Sequence, residues 1–227
     1  MNPITLLINL SYIVAAFLFI TGLKKLGSPE TARKGNLLSA LGMLIAIITT
    51  LFHQDILSFQ WIMIGMIIGA IFGVMGARLV AMTAMPEMVA LLNGFGGISS
   101  LLVGWAAYLK SPLLNIFESS TVLASVVIGS LTFTGSLIAW GKLSETISGK
   151  PMIFRGQKFI NVMILMAIVG LSIWFSLETS LGYPALLGVI ALSSVLGVLL
   201  VISIGGGDMP VVIALLNSYS GLAACAA

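Results

Sequence analysis

Long apolar stretches, broken by short polar connections, run the whole length of the chain. Against the roughly 20 residues needed to cross a bilayer, eight stretches qualify. They cover approximately residues 4–23, 36–52, 59–80, 85–109, 119–141, 158–177, 183–204 and 209 onward. The runs are unbroken and lack the in/out alternation of barrel strands, so they predict helices. The pattern therefore predicts an all-α, polytopic integral membrane helix bundle of about eight spans, with residues 1–227 as one transmembrane domain. The eighth stretch stops at Ala227 with no polar cap, basic stop or following loop. On this reading the last span is truncated and the subunit incomplete.

Composition strengthens the membrane assignment. The chain is 59% hydrophobic and 7% charged, whereas a soluble domain carries roughly a quarter charged residues. Membrane lipid is thus the expected surrounding for most of its surface. The net charge of +3 is small and sits in short loops, which speaks for topology and against nucleic-acid binding. Lys24 and Lys25 follow the first span and no basic residue precedes it, so that span is not a cleaved signal peptide. Placing the first loop in the cytoplasm puts the N-terminus outside. It gathers Lys24, Lys25, Arg33, Lys34, Arg78, Lys142, Lys150, Arg155 and Lys158 on the inner side and leaves Lys110 outside. Trp61, Trp105, Trp140 and Trp174 all fall near span ends, as an interfacial aromatic belt would. Cys225, the single cysteine, lies in a run of small residues where helix packing is the expected role.

One motif occurs twice, each time where a span begins. Met85-Pro86-Glu87-Met88-Val89-Ala90-Leu91-Leu92-Asn93-Gly94-Phe95-Gly96-Gly97 is matched by Met209-Pro210-Val211-Val212-Ile213-Ala214-Leu215-Leu216-Asn217-Ser218-Tyr219-Ser220-Gly221. Both copies enter from the same side, so the repeat is parallel. Each Asn follows its Pro by seven residues, which sets both amides roughly 10 Å in from one membrane face. An amide in lipid is costly unless it has a partner or lines a wet path. An interhelical hydrogen bond would suffice for either one; the matched depth favours conduction.

Other candidates are fewer. Asp208 follows Gly205-Gly206-Gly207 and is placed to N-cap the eighth helix, with Pro210 in its first turn; alternatively it faces a partner and senses its state. The glycines are not a dinucleotide fingerprint, since neither a strand nor the G-x-G-x-x-G spacing accompanies them. Glu87 occupies the first turn of the fourth span, where the helix dipole favours a carboxylate; it could also feed protons to Asn93. His53 sits in a polar loop, wrongly placed for a midplane relay. No residue cluster has metal-ligand spacing, and no nucleophile–base constellation is visible. Ser125, Gly129, Ser130, Thr132, Thr134, Gly135 and Ser136 form a small, polar stripe on the fifth span, expected to pack helices closely or to line a water path. Gly65, Gly69, Gly73 and Gly76 are expected to make a packing seam on the third.

Three groups of residues carry a family resemblance. They are Ala81-Met82-Thr83-Ala84-Met85-Pro86-Glu87, Phe133-Thr134-Gly135-Ser136 with Lys142-Leu143, and Gly206-Gly207-Asp208-Met209-Pro210-Val211-Val212 with Asn217-Ser218-Tyr219-Ser220-Gly221. Together, and with Tyr12-Ile13-Val14-Ala15-Ala16 near the start, the chain resembles the membrane domain of the proton-translocating NAD(P) transhydrogenase beta subunit. The resemblance implies a Re/Si-specific enzyme of the bacterial inner membrane that couples proton entry to hydride transfer between NADH and NADP+. It implies a proton path through Asn93, Asn217, Glu87 and Ser218, and a coupling face at Asp208. It also implies that NAD(H) and NADP(H) bind soluble domains of the complete complex and that these membrane helices bind no cofactor.

The same resemblance implies alpha subunits as partners, in a dimer of alpha–beta units. Some members carry a histidine in the fourth span where this chain has Asn93. Others take a relay histidine from a separate small alpha subunit, and this chain resembles that branch. The final membrane helix and the NADP(H)-binding domain are absent from the sequence, so the catalytic domains are expected elsewhere. Two readings compete: a stand-alone secondary transporter with a parallel repeat, and a non-conducting assembly subunit whose Asn and Gly residues merely pack helices.

Overall fold

The computed structural model describes residues 3–52, 59–111, 115–177 and 182–226. Among them are eight helices, each long and apolar enough to cross a membrane: α1 (Pro3–Leu26), α2 (Pro29–Leu51), α3 (Phe59–Leu79), α4 (Met85–Lys110), α5 (Ile116–Leu143), α6 (Gln157–Leu177), α7 (Gly182–Ile202) and α8 (Met209–Ala226). The all-α, multi-pass architecture is the one the apolar pattern predicts. His53 falls outside the described residues.

The ends differ from those expected. α2 begins at Pro29 and not near residue 36, so Arg33 and Lys34 are helical rather than in a loop. The physical reason is local: Ser28 is extended (φ −128°, ψ 134°), and Pro29 and Glu30 follow in the first turn, both favoured at a helix start. α5 starts earlier than hydropathy suggests because Asn115 and Glu118 form a reciprocal capping box: Asn115 Oδ1 accepts from the Glu118 amide at 2.9 Å, and Glu118 Oε2 accepts from the Asn115 amide at 3.0 Å. Both Met-Pro helices are preceded by a short 3-10 turn, Met82–Ala84 before α4 and Gly206–Asp208 before α8. Hydropathy carries no trace of these turns.

The chain divides into two compact units, residues 1–74 and 75–227, with the break inside α3. In the first, α1 and α2 form a hairpin. A Cβ on Gly35 would stand 2.7 Å from the Gly22 carbonyl oxygen, and Tyr12 and Thr50 share a hydrogen bond of 2.9 Å near the open end. Of the glycine seam expected on α3, only Gly76 meets a described neighbour, the Met88 sulfur at 3.6 Å from its Cβ position. Gly65, Gly69 and Gly73 have no described neighbour within 4 Å of a Cβ position, and α3 buries none of its described residues.

In the second unit α5 is the central helix, packed by α4, α7 and α8. α4 and α5 run antiparallel along small and polar positions on both helices. Asn93 meets Ser136, Gly97 meets Gly129, and Ser125 donates to the Ser100 carbonyl at 2.7 Å. A Cβ on Gly97 would lie 2.9 Å from both the Gly129 oxygen and the Phe133 nitrogen, so only glycine admits this approach. The stripe on α5 is therefore a packing seam. On its other side Thr134 Oγ1 donates to the Ser194 carbonyl of α7 at 2.9 Å. One apolar cluster, around Val126, Leu186 and Val189, fills the end holding Tyr108 and Phe175. A second, around Ala90, Ala139, Met209 and Leu216, fills the Met-Pro end. Cys225 is exposed on α8.

Candidate functional site

α4 and α8 both start at the end where α5 finishes, so the two motif copies lie side by side and parallel. Between them is a groove of about 380 Å³, lined by Val89, Asn93 and Gly96 from α4 and by Ile213, Asn217 and Ser220 from α8, among others. These six are equivalent positions of the two copies. The spacing i, i+4, i+7 puts them on one face of each helix. The sequence repeat has become a spatial pair.

The two amides are held differently. Asn93 is 7% exposed. Its Nδ2 donates to Ser136 Oγ of α5 at 3.0 Å, and its Oδ1 accepts from Ser220 Oγ of α8 at 3.0 Å. One side chain thus ties three helices together, keeping one N–H and one lone pair for other partners. Asn217 lines the same groove but is exposed, and it makes no hydrogen bond to any described residue. The arrangement provides a fixed amide and a free one in a shared, otherwise mostly apolar groove. Neither can exchange protons by titration; both can orient water or a titrating side chain.

The remaining sequence candidates lie off the groove. Ser218 is exposed and donates to the Ala214 carbonyl of its own helix at 3.2 Å. One residue after Asn217 it is turned about 100° from the groove face; Ser220, at i+3, shares that face. Glu87 is half-buried in the first turn of α4 and does not line the groove. Asp208 is exposed, and its carboxylate makes no capping hydrogen bond to a described residue. Gly206 and Gly207 wind into the 3-10 turn with Asp208 as its last residue; Gly205 (φ −70°, ψ 152°) is the extended residue that caps this turn, and the Asp208 amide donates to its carbonyl at 3.1 Å. The Gly206 amide is committed to the Gly149 carbonyl at 2.8 Å, and no strand leads into the turn among the described residues.

Sequence reasoning missed the part played by Lys142. It is 3% exposed at the C-terminal end of α5. Its ammonium donates to the carbonyls of Ile202 and Ile204 at 2.6 Å each and of Lys150 at 3.3 Å. A lysine in the last turn of a spanning helix reads as an interfacial charge, and nothing in the local pattern distinguishes the two.

The eight described helices, each long and apolar enough to cross a membrane, define a multi-pass membrane protein, with a groove between two parallel, repeated ones. The model of the NAD(P) transhydrogenase beta subunit family matches residues 8–227, and the chain belongs to that family. Two curated relatives, both named NAD(P) transhydrogenase subunit beta, come from Rhodospirillum rubrum and from a strain of it. Each is 40% identical over 222 residues, covering 94% of this chain and 47% of the relative. The chain thus spans about half the length of the curated relatives it matches.

Proposed function

We propose that this chain is the proton-conducting and coupling part of a Re/Si-specific NAD(P) transhydrogenase, linking proton translocation to hydride transfer between NADH and NADP+. Membership of the beta subunit family supports the reading. The observation that carries it is the Asn93 amide, bridged to Ser136 and Ser220 beside the free amide of Asn217. Asn93, held from two sides, keeps a fixed orientation. Asn217 is free to bond whatever enters the groove.

The proton itself needs a titrating group, which neither Asn supplies. A histidine on a helix of a small alpha subunit, packed against the α4/α8 groove, fills that need. The complex is then a dimer of alpha–beta units in the bacterial inner membrane, with this chain's N-terminus outside and its Met-Pro ends cytoplasmic. NAD(H) and NADP(H) bind the soluble domains of that complex. Asp208 lies at the face where the NADP(H) domain docks, and Glu87 at the mouth of α4 feeds protons inward.

Reconstitution into vesicles tests this. Proton uptake coupled to hydride transfer is expected with the alpha subunits present, and no proton leak is expected through this subunit alone. Proton conduction by the isolated subunit would refute the shared-site reading.

A further inference from the structure

The Lys142 ammonium joins three segments that are separate in sequence. Ile202 is the last residue of α7, Ile204 lies in the connection to α8, and Lys150 lies in the 144–156 loop. Backbone bonds reinforce the same junction: Met152 donates to the Ile202 carbonyl at 3.1 Å, and Gly206 donates to the Gly149 carbonyl at 2.8 Å. A buried cation at a helix C-terminus completes carbonyls that the helix leaves unpaired. Here it also holds Ile204, in the connection that leads to α8 at Met209.

The two helices joined at this end are joined again deeper in the membrane. α5 carries Lys142 and, about 9 Å along, Ser136. α8 begins just beyond Ile204 and carries Ser220 about 18 Å beyond Asp208. Asn93 bonds both Ser136 and Ser220. The result is a closed circuit: Lys142 to Ile204 in the α7–α8 connection, on through the 3-10 turn and along α8 to Ser220, through Asn93 to Ser136, and back along α5.

We propose that Lys142 is a positioning residue that holds the α7–α8 junction in register, so that a displacement at Gly205–Asp208 reaches the Asn93–Ser220 bond through α8. This rests on the transhydrogenase reading. Coupling between distant sites needs a contiguous element that both ends bias, and α8 anchored at two points is one.

The test uses the complete complex in proteoliposomes, with three variants. Lys142→Met keeps the stem and removes the donors. Lys142→Arg restores a cation. Gly206→Ala strains the same junction without touching the ammonium, since its Cβ would lie 3.3 Å from the Gly149 Cα. In Lys142→Met, amide exchange over residues 203–208 is expected to quicken about tenfold. Proton-coupled hydride transfer should fall about tenfold, while nucleotide exchange reactions needing no proton step stay within about twofold. Gly206→Ala should shift both readouts the same way, and Lys142→Arg should recover part of each. Faster exchange over 203–208 with a wild-type coupled rate would overturn the proposal. So would an equal fall in the coupled and proton-independent reactions, which marks a merely structural role. Failure of the wild-type complex to move protons would sink the functional reading in its own control. Amide exchange would then still decide whether Lys142 holds the junction.

Discussion

Ser220 donates its hydroxyl to Asn93 Oδ1 at 3.0 Å, joining the two copies of the repeated motif across 127 residues of sequence. The bond is not symmetric. The position equivalent to Ser220 in the first copy is Gly96, so Asn217 receives no matching hydroxyl. One serine in place of a glycine turns a sequence repeat into an anchored amide and a free one.

Asn93→Ala is expected to destabilise the fold, because it removes both interhelical bonds. Such bonds contribute about 1 kcal/mol each in membranes, so the loss should reach about 1–2 kcal/mol. Ser220→Ala should cost about half as much. A double-mutant cycle between Asn93 and Ser220, read by unfolding in detergent, should show a coupling energy of about 0.5 kcal/mol or more. Strict additivity would mean the bond does not contribute to stability.

Asn217→Ala separates packing from conduction. The side chain is exposed and unbonded to described residues, so stability should change by no more than about 0.5 kcal/mol. On the proposed function, proton-coupled turnover should nonetheless fall about tenfold or more. Measuring both in one preparation decides the matter. Full coupled activity in Asn217→Ala would remove Asn217 from the path.

The helices and the amide pair were legible in the sequence because apolar run length and helical repeat are local quantities. The spacing from Met-Pro to Asn sets depth, and the structure brings Asn93 and Asn217 to one groove. What sequence could not show is non-local. The i+3 spacing from Asn217 could have pointed to Ser220 rather than Ser218, but only once the facing helix was known. Nor could sequence show the 3-10 turns before α4 and α8: one is Met82–Ala84, without a glycine, and the other takes Asp208 into a turn capped by Gly205. Lys142 was read as a loop-end charge, since its partners are backbone carbonyls that have no sequence signature. The α3 glycines show the converse: a small-residue face in sequence does not guarantee a packed neighbour.

The α4/α5 seam should be intolerant of side chains where the backbones touch. Gly97→Val would place a Cβ 2.9 Å from two backbone atoms of α5, which cannot move aside as a flexible side chain would. A loss of about 1–3 kcal/mol or failure to assemble is expected. Gly69→Ala is the control: nothing described lies within 4 Å, so it should be neutral, or favourable by up to about 1 kcal/mol through helix propensity. Thermal midpoints in detergent check both. Equal midpoints for the two variants would argue against the tight seam.

Asp208 offers the last prediction, and the structure changes its form. Were Asp208 the N-cap of α8, Asp208→Ala would cost about 1 kcal/mol while Asp208→Asn would cost little. Asp208 is instead an exposed carboxylate at the end of a 3-10 turn that Gly205 caps, and it makes no capping hydrogen bond to a described residue. Both substitutions should therefore leave stability unchanged to within about 0.5 kcal/mol. What both remove is a charge at the face where the NADP(H) domain is proposed to dock. If that charge makes contacts that differ between conformations of the docked domain, both variants should lower proton-coupled hydride transfer alike, and both should spare reactions that need no proton step. Thermal midpoints and the two activities, measured on the assembled complex, give the answer. Selective destabilisation by Asp208→Ala would restore the capping role. Wild-type coupled rates in both variants would leave the carboxylate with no part in coupling.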